Sequence, residues 1–262
     1  MTAPIPRDLP DLPALPRTHP ASAPLFAPAR AVVPLARRPL TAVYRLLLAL
    51  LAAGAVLVET LLGGPVRVLS HFTVQSALLL ALVMLASARR AWSARHPLPG
   101  SITGAALLYV ITAALVHHVL LADAVPSFST TDGTTGAVGR LEPLAAHTLH
   151  TVLPVAAVLD WLLLSPPGRL RLRRAAAWML YPLAHLAFTL ARGELFPGSP
   201  ARYPYPFLDV ARHGYRHVLA NALLLGLALY GLAVLLVALD HIRPNPVRRP
   251  SKTGFRLRLP VG

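Results

Sequence analysis

The chain has 262 residues, of which 55% are hydrophobic and only 13% are charged. A soluble domain of this length carries nearly twice that charged fraction, so the composition excludes an ordinary soluble globular protein. The net charge of +15 comes from short arginine clusters between apolar blocks, without the interleaved aromatic residues that stack on bases, so nucleic-acid binding is not expected.

The first 39 residues contain ten of the 27 prolines. Proline at this density is incompatible with regular helix or sheet, so residues 1–39 are predicted to form an extended, disordered cytoplasmic tail. The segment is too rich in proline for the start of a signal peptide, and the apolar block that follows has full membrane length and no clear cleavage site. We therefore expect that block to be a retained membrane helix.

Six apolar blocks follow the tail, each close to the twenty residues that a helix needs to cross a bilayer. Backbone polar groups have no water to bind in hydrocarbon, so these blocks must be helices. The prediction is an all-α membrane domain over residues 40–242, a bundle of about six transmembrane helices, followed by a basic cytoplasmic tail over 243–262. The blocks cover 40–62, 70–88, 102–122, 145–164, 174–192 and 216–240.

The basic residues predict the orientation of the bundle. With the N-terminus inside, 19 of the 25 lysines and arginines fall on the inner segments, as the positive-inside rule expects. Both termini are therefore predicted to be cytoplasmic, in a multi-pass plasma-membrane protein. Lys252 is the only lysine, and this bias, with the abundant alanine and proline, is typical of a GC-rich bacterial coding sequence.

Polar side chains gather near the predicted outer ends of five of the six helices. Ionisable groups inside a bilayer are costly and usually face the bundle interior or a wet cavity, and histidine suits proton transfer near neutral pH. A single histidine here more often has a structural role, but the shared depth of the cluster favours a site open to the outer leaflet. The cluster comprises Glu59, His71, Thr73, Gln75, Ser76, His117, His118, His147, Thr148, His150, Thr151, His213, His217 and Asn221.

Two prolines and one aspartate modify the later helices. Pro154 and Pro182 cannot donate to the carbonyls four residues earlier, so the helices should kink or open at His150 and Trp178. Asp160 is expected to reach toward the arginines of the 169–174 loop. The strip of alternating aromatic and proline residues at 203–209 is either a lid over the polar cluster or a plain aromatic anchor.

Several strings occur in a fixed order along this framework. They are His71 to Ser76, His150 to Pro154, Asp160-Trp161, Tyr181-Pro182 and Tyr203 to Asp209. The ordered set resembles the bacterial six-helix membrane proteins of the androgen-induced-protein superfamily, over about residues 40–242. The resemblance implies a threonine hydrolase, since the animal members cleave fatty acid esters of hydroxy fatty acids with one threonine and one histidine in the membrane.

The resemblance indicates Thr73 as the nucleophile and His150 as the base, with His147, one turn earlier, as a rival. Both catalytic candidates lie a few residues inside the outer ends of parallel helices, at the similar depth that a nucleophile and its base require. The partners expected are membrane lipids and a fatty acid ester substrate, and no cofactor or metal is expected. Supporting roles are assigned to Glu59 or His147 in orienting the base and to Gln75, Ser76 or Asn221 in binding the oxyanion.

Two other functions remain open on the sequence. A non-catalytic lipid-binding or transport protein could use the same polar cluster as the mouth of its site. A haem-binding electron-transfer protein could draw axial ligands from His71, His117, His118, His147 and His150. The ordered motifs favour the threonine-dependent carboxylic ester hydrolase over both.

Overall fold

A computed structural model describes residues 37–121, 137–198 and 202–244 of the chain, with side chains undescribed at 137–140. Within these ranges the regular structure is entirely helical. The predictions of a disordered tail at 1–39 and of a basic tail at 243–262 concern residues that lie almost wholly outside the described ranges. The all-α prediction is confirmed for the described part of the chain.

Nine α-helices are described, and short π-helical turns extend some of them. Two π-helical turns, Thr148–Val152 and Asp160–Leu164, follow α5 and α6, so that these two helices form one continuous rod. A third, Val116–Leu120, extends α4. The helices are α1 (Pro39–Gly63), α2 (Pro65–Val68), α3 (Phe72–Trp92), α4 (Gly100–Leu115), α5 (Ala137–His147), α6 (Leu153–Leu159), α7 (Leu172–Trp178), α8 (Leu180–Leu195) and α9 (Val210–Ile242).

Five of the described helical segments are long and apolar enough to cross a membrane. They correspond to five of the six predicted blocks. The remaining block, 174–192, is divided at Met179 into α7 and α8. The apolar part of α9 follows a kink at Gly214, whose φ of 73° is readily adopted only by glycine. The membrane-length segments are Pro39–Gly63, Phe72–Trp92, Gly100–Leu120, Leu141–Leu164 and Val210–Ile242.

The first four membrane-length segments pack into a bundle. α1 lies against α3 and the α5–α6 rod, α3 lies against α4, and α9 packs on α4 and α7. The buried face of α1 carries Ala49, Ala52 and Ala55, small residues that let helix backbones approach closely in a membrane. Large exposed leucines such as Leu223 and Leu227 on α9 are suited to contact with lipid.

Both prolines open their helices as predicted. The π-helical turn Thr148–Val152, which contains His150, lies directly before the segment that carries Pro154. Because Pro182 has no N–H to offer the carbonyl of Trp178, α7 ends at that residue. The Trp178 carbonyl instead accepts a hydrogen bond from the hydroxyl of Tyr109 on α4, at 2.8 Å.

We call the end of the bundle at which α3 begins the cavity end, and the opposite end the ion-pair end. At the ion-pair end, the prediction that Asp160 reaches toward the 169–174 loop is wrong. Asp160 accepts hydrogen bonds from Arg45 on α1, with Nε at 2.7 Å and Nη2 at 3.1 Å. Both side chains are buried. The partner differs because α1 packs against the α5–α6 rod, a contact that hydropathy does not reveal.

A second carboxylate, Asp240, joins the last turn of α9 to the loop after the α5–α6 rod. It accepts the backbone amides of Arg169 and Leu170 at 2.7 and 2.9 Å. It also accepts the indole N–H of Trp161 at 3.0 Å and pairs with Arg243 at 2.9 Å. A buried carboxylate with this many donors is fully compensated, so its role is structural.

Candidate functional site

A cavity of about 370 Å³ opens at the cavity end among the start of α3, α4, α8, the 203–209 strip and α9. Its walls are almost entirely aliphatic and aromatic. The side chains that bring polar atoms to it are Thr73, Thr112, His185 and Tyr205. An apolar chamber with a few convergent polar groups is the usual form of a small-molecule or lipid site.

A groove of about 490 Å³ runs between the end of α4 and α9. It shares Thr112, Val116, Phe207, Leu225 and Leu229 with the cavity, so the two spaces adjoin. Its lining is apolar apart from Thr112 and Asn221. The amide of Asn221 donates to the carbonyl of Phe207 at 3.3 Å, which ties α9 to the 203–209 strip beside the groove.

Thr73 lies in the first turn of α3, with only 7% of its surface exposed. The preceding amide, Phe72 N–H, donates to the hydroxyl of Tyr205 at 3.0 Å. The side chain and the amide of Thr73 lie near the same phenol oxygen. The candidate nucleophile is therefore covered by Tyr205 on one side and borders the apolar cavity on the other.

His150 is buried in the π-helical turn of the α5–α6 rod, with 4% of its surface exposed. Its Nδ1 lies 2.8 Å from the carbonyl oxygen of Ala146. A carbonyl only accepts, so Nδ1 carries the proton and Nε2 has the lone pair that a general base needs. The ring stacks on His117 with centroids 3.8 Å apart, and the turn packs against α3.

The rival base, His147, lies on the exposed face of the rod. The two histidines therefore differ in burial. The turn between them is partly α-helical and partly π-helical, and it directs His150 inward and His147 outward. Glu59, which was assigned to orient the base, is buried on α1. Its carboxyl interacts electrostatically with that of Glu142 in α5.

The residues assigned to bind the oxyanion make contacts within the protein. The Gln75 amide donates to the carbonyl of Leu69 at 2.9 Å, and its Oε1 accepts the hydroxyl of Tyr181 at 2.8 Å. Ser76 is fully buried. In this arrangement Gln75 joins α3 to α8.

Two side chains that border the cavity with Thr73 were not among the candidate site residues, namely His185 and Tyr205, although Tyr205 belongs to the strip predicted as a lid or an anchor. His185 Nδ1 lies 3.3 Å from Oε1 of Gln75, and its Nε2 lies 3.5 Å from the hydroxyl of Thr189. His185 is not part of the polar cluster predicted near the outer helix ends. The packing of α8, whose Tyr181 and His185 rings contact Phe72, brings it close to the start of α3.

Comparisons with protein families, with curated proteins and with solved structures find no match for this chain. The site is therefore interpreted from its own geometry. For haem, His117 and His150 are the closest histidine pair on neighbouring helices in the described residues, but they stack face to face at 3.8 Å. Axial ligands must lie on opposite sides of a porphyrin, and this direct stacking leaves no space for one between them.

Proposed function

We propose that the protein is an intramembrane lipid-ester hydrolase in which Thr73 attacks the ester carbonyl. One observation carries the proposal: a buried threonine hydroxyl borders an apolar cavity within a bundle of membrane-length helices. The apolar walls suit the acyl chain of a fatty acid ester, and the adjoining groove between α4 and α9 offers a lateral path from the bilayer. The ordered motifs favour the same chemistry.

In the proposed reaction a neutral imidazole takes the proton of Thr73 as the oxygen attacks the carbonyl carbon. The tetrahedral intermediate collapses, the alcohol leaves with that proton, and water hydrolyses the resulting acyl-enzyme. His150 is the base that the family resemblance indicates, and its Nδ1–H bond to Ala146 places the lone pair of the neutral ring on Nε2. His185 is a second candidate because it borders the cavity together with Thr73.

The proposal places the catalytic centre in the outer half of a plasma membrane, with six crossings and both termini in the cytoplasm. The sixth crossing would be the broken α7–α8 pair. The 16 residues of α8 extend only about 24 Å as a helix, short of the roughly 30 Å hydrocarbon core, so α7 must complete the span. The arginine distribution supports this orientation.

A fluorophosphonate probe tests the chemistry on the full chain in detergent. We expect labelling of the wild type, loss of labelling in Thr73→Ala, and strong reduction in whichever of His150→Ala and His185→Ala removes the base. His147→Ala is the matched control, since that histidine is exposed on the same rod. A folded wild type that is not labelled and does not hydrolyse medium-chain p-nitrophenyl esters contradicts the hydrolase proposal.

Non-catalytic lipid binding or transport is the second candidate. The observation that favours it is the nearly complete apolarity of the cavity and its groove, which suits a bound acyl chain without any reaction. Native mass spectrometry of the purified protein distinguishes the two. Retained intact lipid in an inactive wild type supports this candidate, and an absorbance spectrum of the same sample reveals haem by a Soret band.

A further inference from the structure

Tyr205 has an unusual position for an aromatic residue of a connecting strip. Its side chain is buried, its ring packs edge-on against His71, and its hydroxyl reaches the first turn of α3. There the hydroxyl oxygen accepts the Phe72 amide at 3.0 Å, and Thr73 lies next to it. The phenol thus lies beside the residue that the proposed function makes the nucleophile.

The strip that carries Tyr205 is fixed at both ends. Before it, Arg202 donates to the carbonyl of Gly193, and Tyr203 packs on the same glycine. After it, the Phe207 carbonyl accepts from Asn221 on α9. Two prolines flank Tyr205 and restrict its backbone. A donor held this firmly requires little reorganisation when charge develops beside it, which is the property of an oxyanion-hole group.

We propose that Tyr205 is a catalytic residue that donates a hydrogen bond to the oxyanion formed when Thr73 attacks the ester. The inference rests on the proposed function of Thr73. Because its oxygen accepts the Phe72 amide, the phenol can direct its own hydrogen at an acceptor beside Thr73. As the Thr73 oxygen bonds to the carbonyl carbon, the carbonyl π electrons move to its oxygen. That oxyanion is two bonds away from the Thr73 oxygen and becomes the strongest acceptor within reach.

The surroundings of Tyr205 favour donation over proton loss. The Phe72 amide donates to the phenol oxygen, and a hydroxyl that accepts one hydrogen bond donates a stronger one. Burial raises the pKa of Tyr205 to about 12, so the phenol keeps its proton at neutral pH. Tyr205 therefore stabilises the negative charge by a hydrogen bond, while the transferred proton stays on the histidine base.

The test compares Tyr205→Phe with Tyr203→Phe in the full chain, using a medium-chain p-nitrophenyl ester. Tyr203 is the matched control, because it lies on the same strip and its hydroxyl bonds to Glu194 away from the cavity. We expect kcat to fall by about 10²–10³-fold in Tyr205→Phe, with KM changed less than about threefold. Tyr203→Phe should stay within about twofold of the wild type.

A trifluoromethyl ketone that forms a tetrahedral adduct with Thr73 provides a second readout. Its affinity should fall in Tyr205→Phe by a factor comparable to the loss in kcat. If Tyr205→Phe does not fold, 4-fluorophenylalanine at position 205 fills the space of the hydroxyl without donating a hydrogen bond, and the same losses are expected.

A kcat of Tyr205→Phe equal to or above that of the wild type overturns the inference. It would show that the hydroxyl is dispensable or obstructs the substrate. That outcome leaves the hydrolase proposal intact if Thr73→Ala remains inactive. An inactive wild type, by contrast, removes the proposed function and this inference together.

Discussion

The two ends of the bundle hold their polar groups in different ways. At the ion-pair end, Asp160 pairs with Arg45. Asp240 accepts hydrogen bonds from Arg243, the indole of Trp161 and two backbone amides. At the cavity end, Thr73, Tyr205 and His185 border an apolar cavity. Full charge compensation stabilises one end, whereas the other combines polar groups with room for a ligand. The difference distinguishes a structural polar cluster from the candidate functional site.

The largest effect is expected from Thr73→Val, which keeps the shape of the side chain and removes its hydroxyl. We expect ester hydrolysis to fall at least about 10³-fold, since nucleophile removal abolishes the covalent step. The free energy of unfolding should change by only about 0.5–1.5 kcal/mol, the net value of one hydrogen bond. Activity and thermal unfolding of the same preparation check both statements. Substantial hydrolysis by Thr73→Val would show that another group attacks the ester.

The opposite pattern is expected for Asp160→Ala at the ion-pair end. Removing one partner leaves the buried Arg45 guanidinium uncompensated, which costs about 3–5 kcal/mol of unfolding free energy. Activity per folded molecule should be unchanged, because the pair lies at the end away from the cavity. Asp209→Ala serves as control. Its carboxylate caps α9 and pairs with a largely exposed arginine, so its loss should cost only about 0.5–2 kcal/mol.

A smaller effect is expected from Gly193→Ala, which tests how the 203–209 strip is anchored. A β-carbon at Gly193 would overlap the ring of Tyr203, whereas one at Gly198 would meet nothing within 4 Å. Overpacking of this kind costs about 1–3 kcal/mol, so thermal unfolding should show destabilisation in Gly193→Ala and almost none in Gly198→Ala. Equal stability of the two variants would mean that the ring moves aside freely.

The smallest expected effect comes from filling the cavity. Gly226 lines the cavity on α9 and Gly231 does not, and a β-carbon at either meets nothing within 4 Å. Both changes to leucine gain similar helix propensity, about 1 kcal/mol. We expect Gly226→Leu alone to weaken lipid or substrate binding by about tenfold, or about 1.4 kcal/mol. Competition with a fluorescent fatty acid measures it, and equal affinities for the two variants would locate the ligand elsewhere.

The sequence predicted most of the fold because its signals are local. Apolar blocks of membrane length, the break that Pro182 imposes at Trp178 and the opening at His150 before Pro154 depend only on neighbouring residues. Composition alone does not show where an apolar span is divided into two helices. The block at 174–192 reads as one span by composition, yet α7 and α8 meet at Met179, because a proline cannot continue the backbone hydrogen bonds across the join.

The candidate site was predictable only in part. The resemblance indicated Thr73 and His150, and helix length and orientation put them at similar depth; their catalytic roles stay predictions. The neighbours of Thr73 could not be named, since Tyr205 is more than a hundred residues away along the chain and reaches α3 through a strip without periodicity. Asp160 shows the same limit, because nothing local distinguishes Arg45 from the arginines of the nearby loop.

The sequence by itself determined that this chain is a helical membrane protein, where its helices lie and which residues have the chemistry to react. The tertiary structure decided which of them meet: Arg45 with Asp160, His117 with His150, and Tyr205 and His185 with the cavity at Thr73. The physical reason is that hydropathy and helix propensity act within a segment. The order and angle of helix packing depend on the fit between distant faces, most of which are chemically alike.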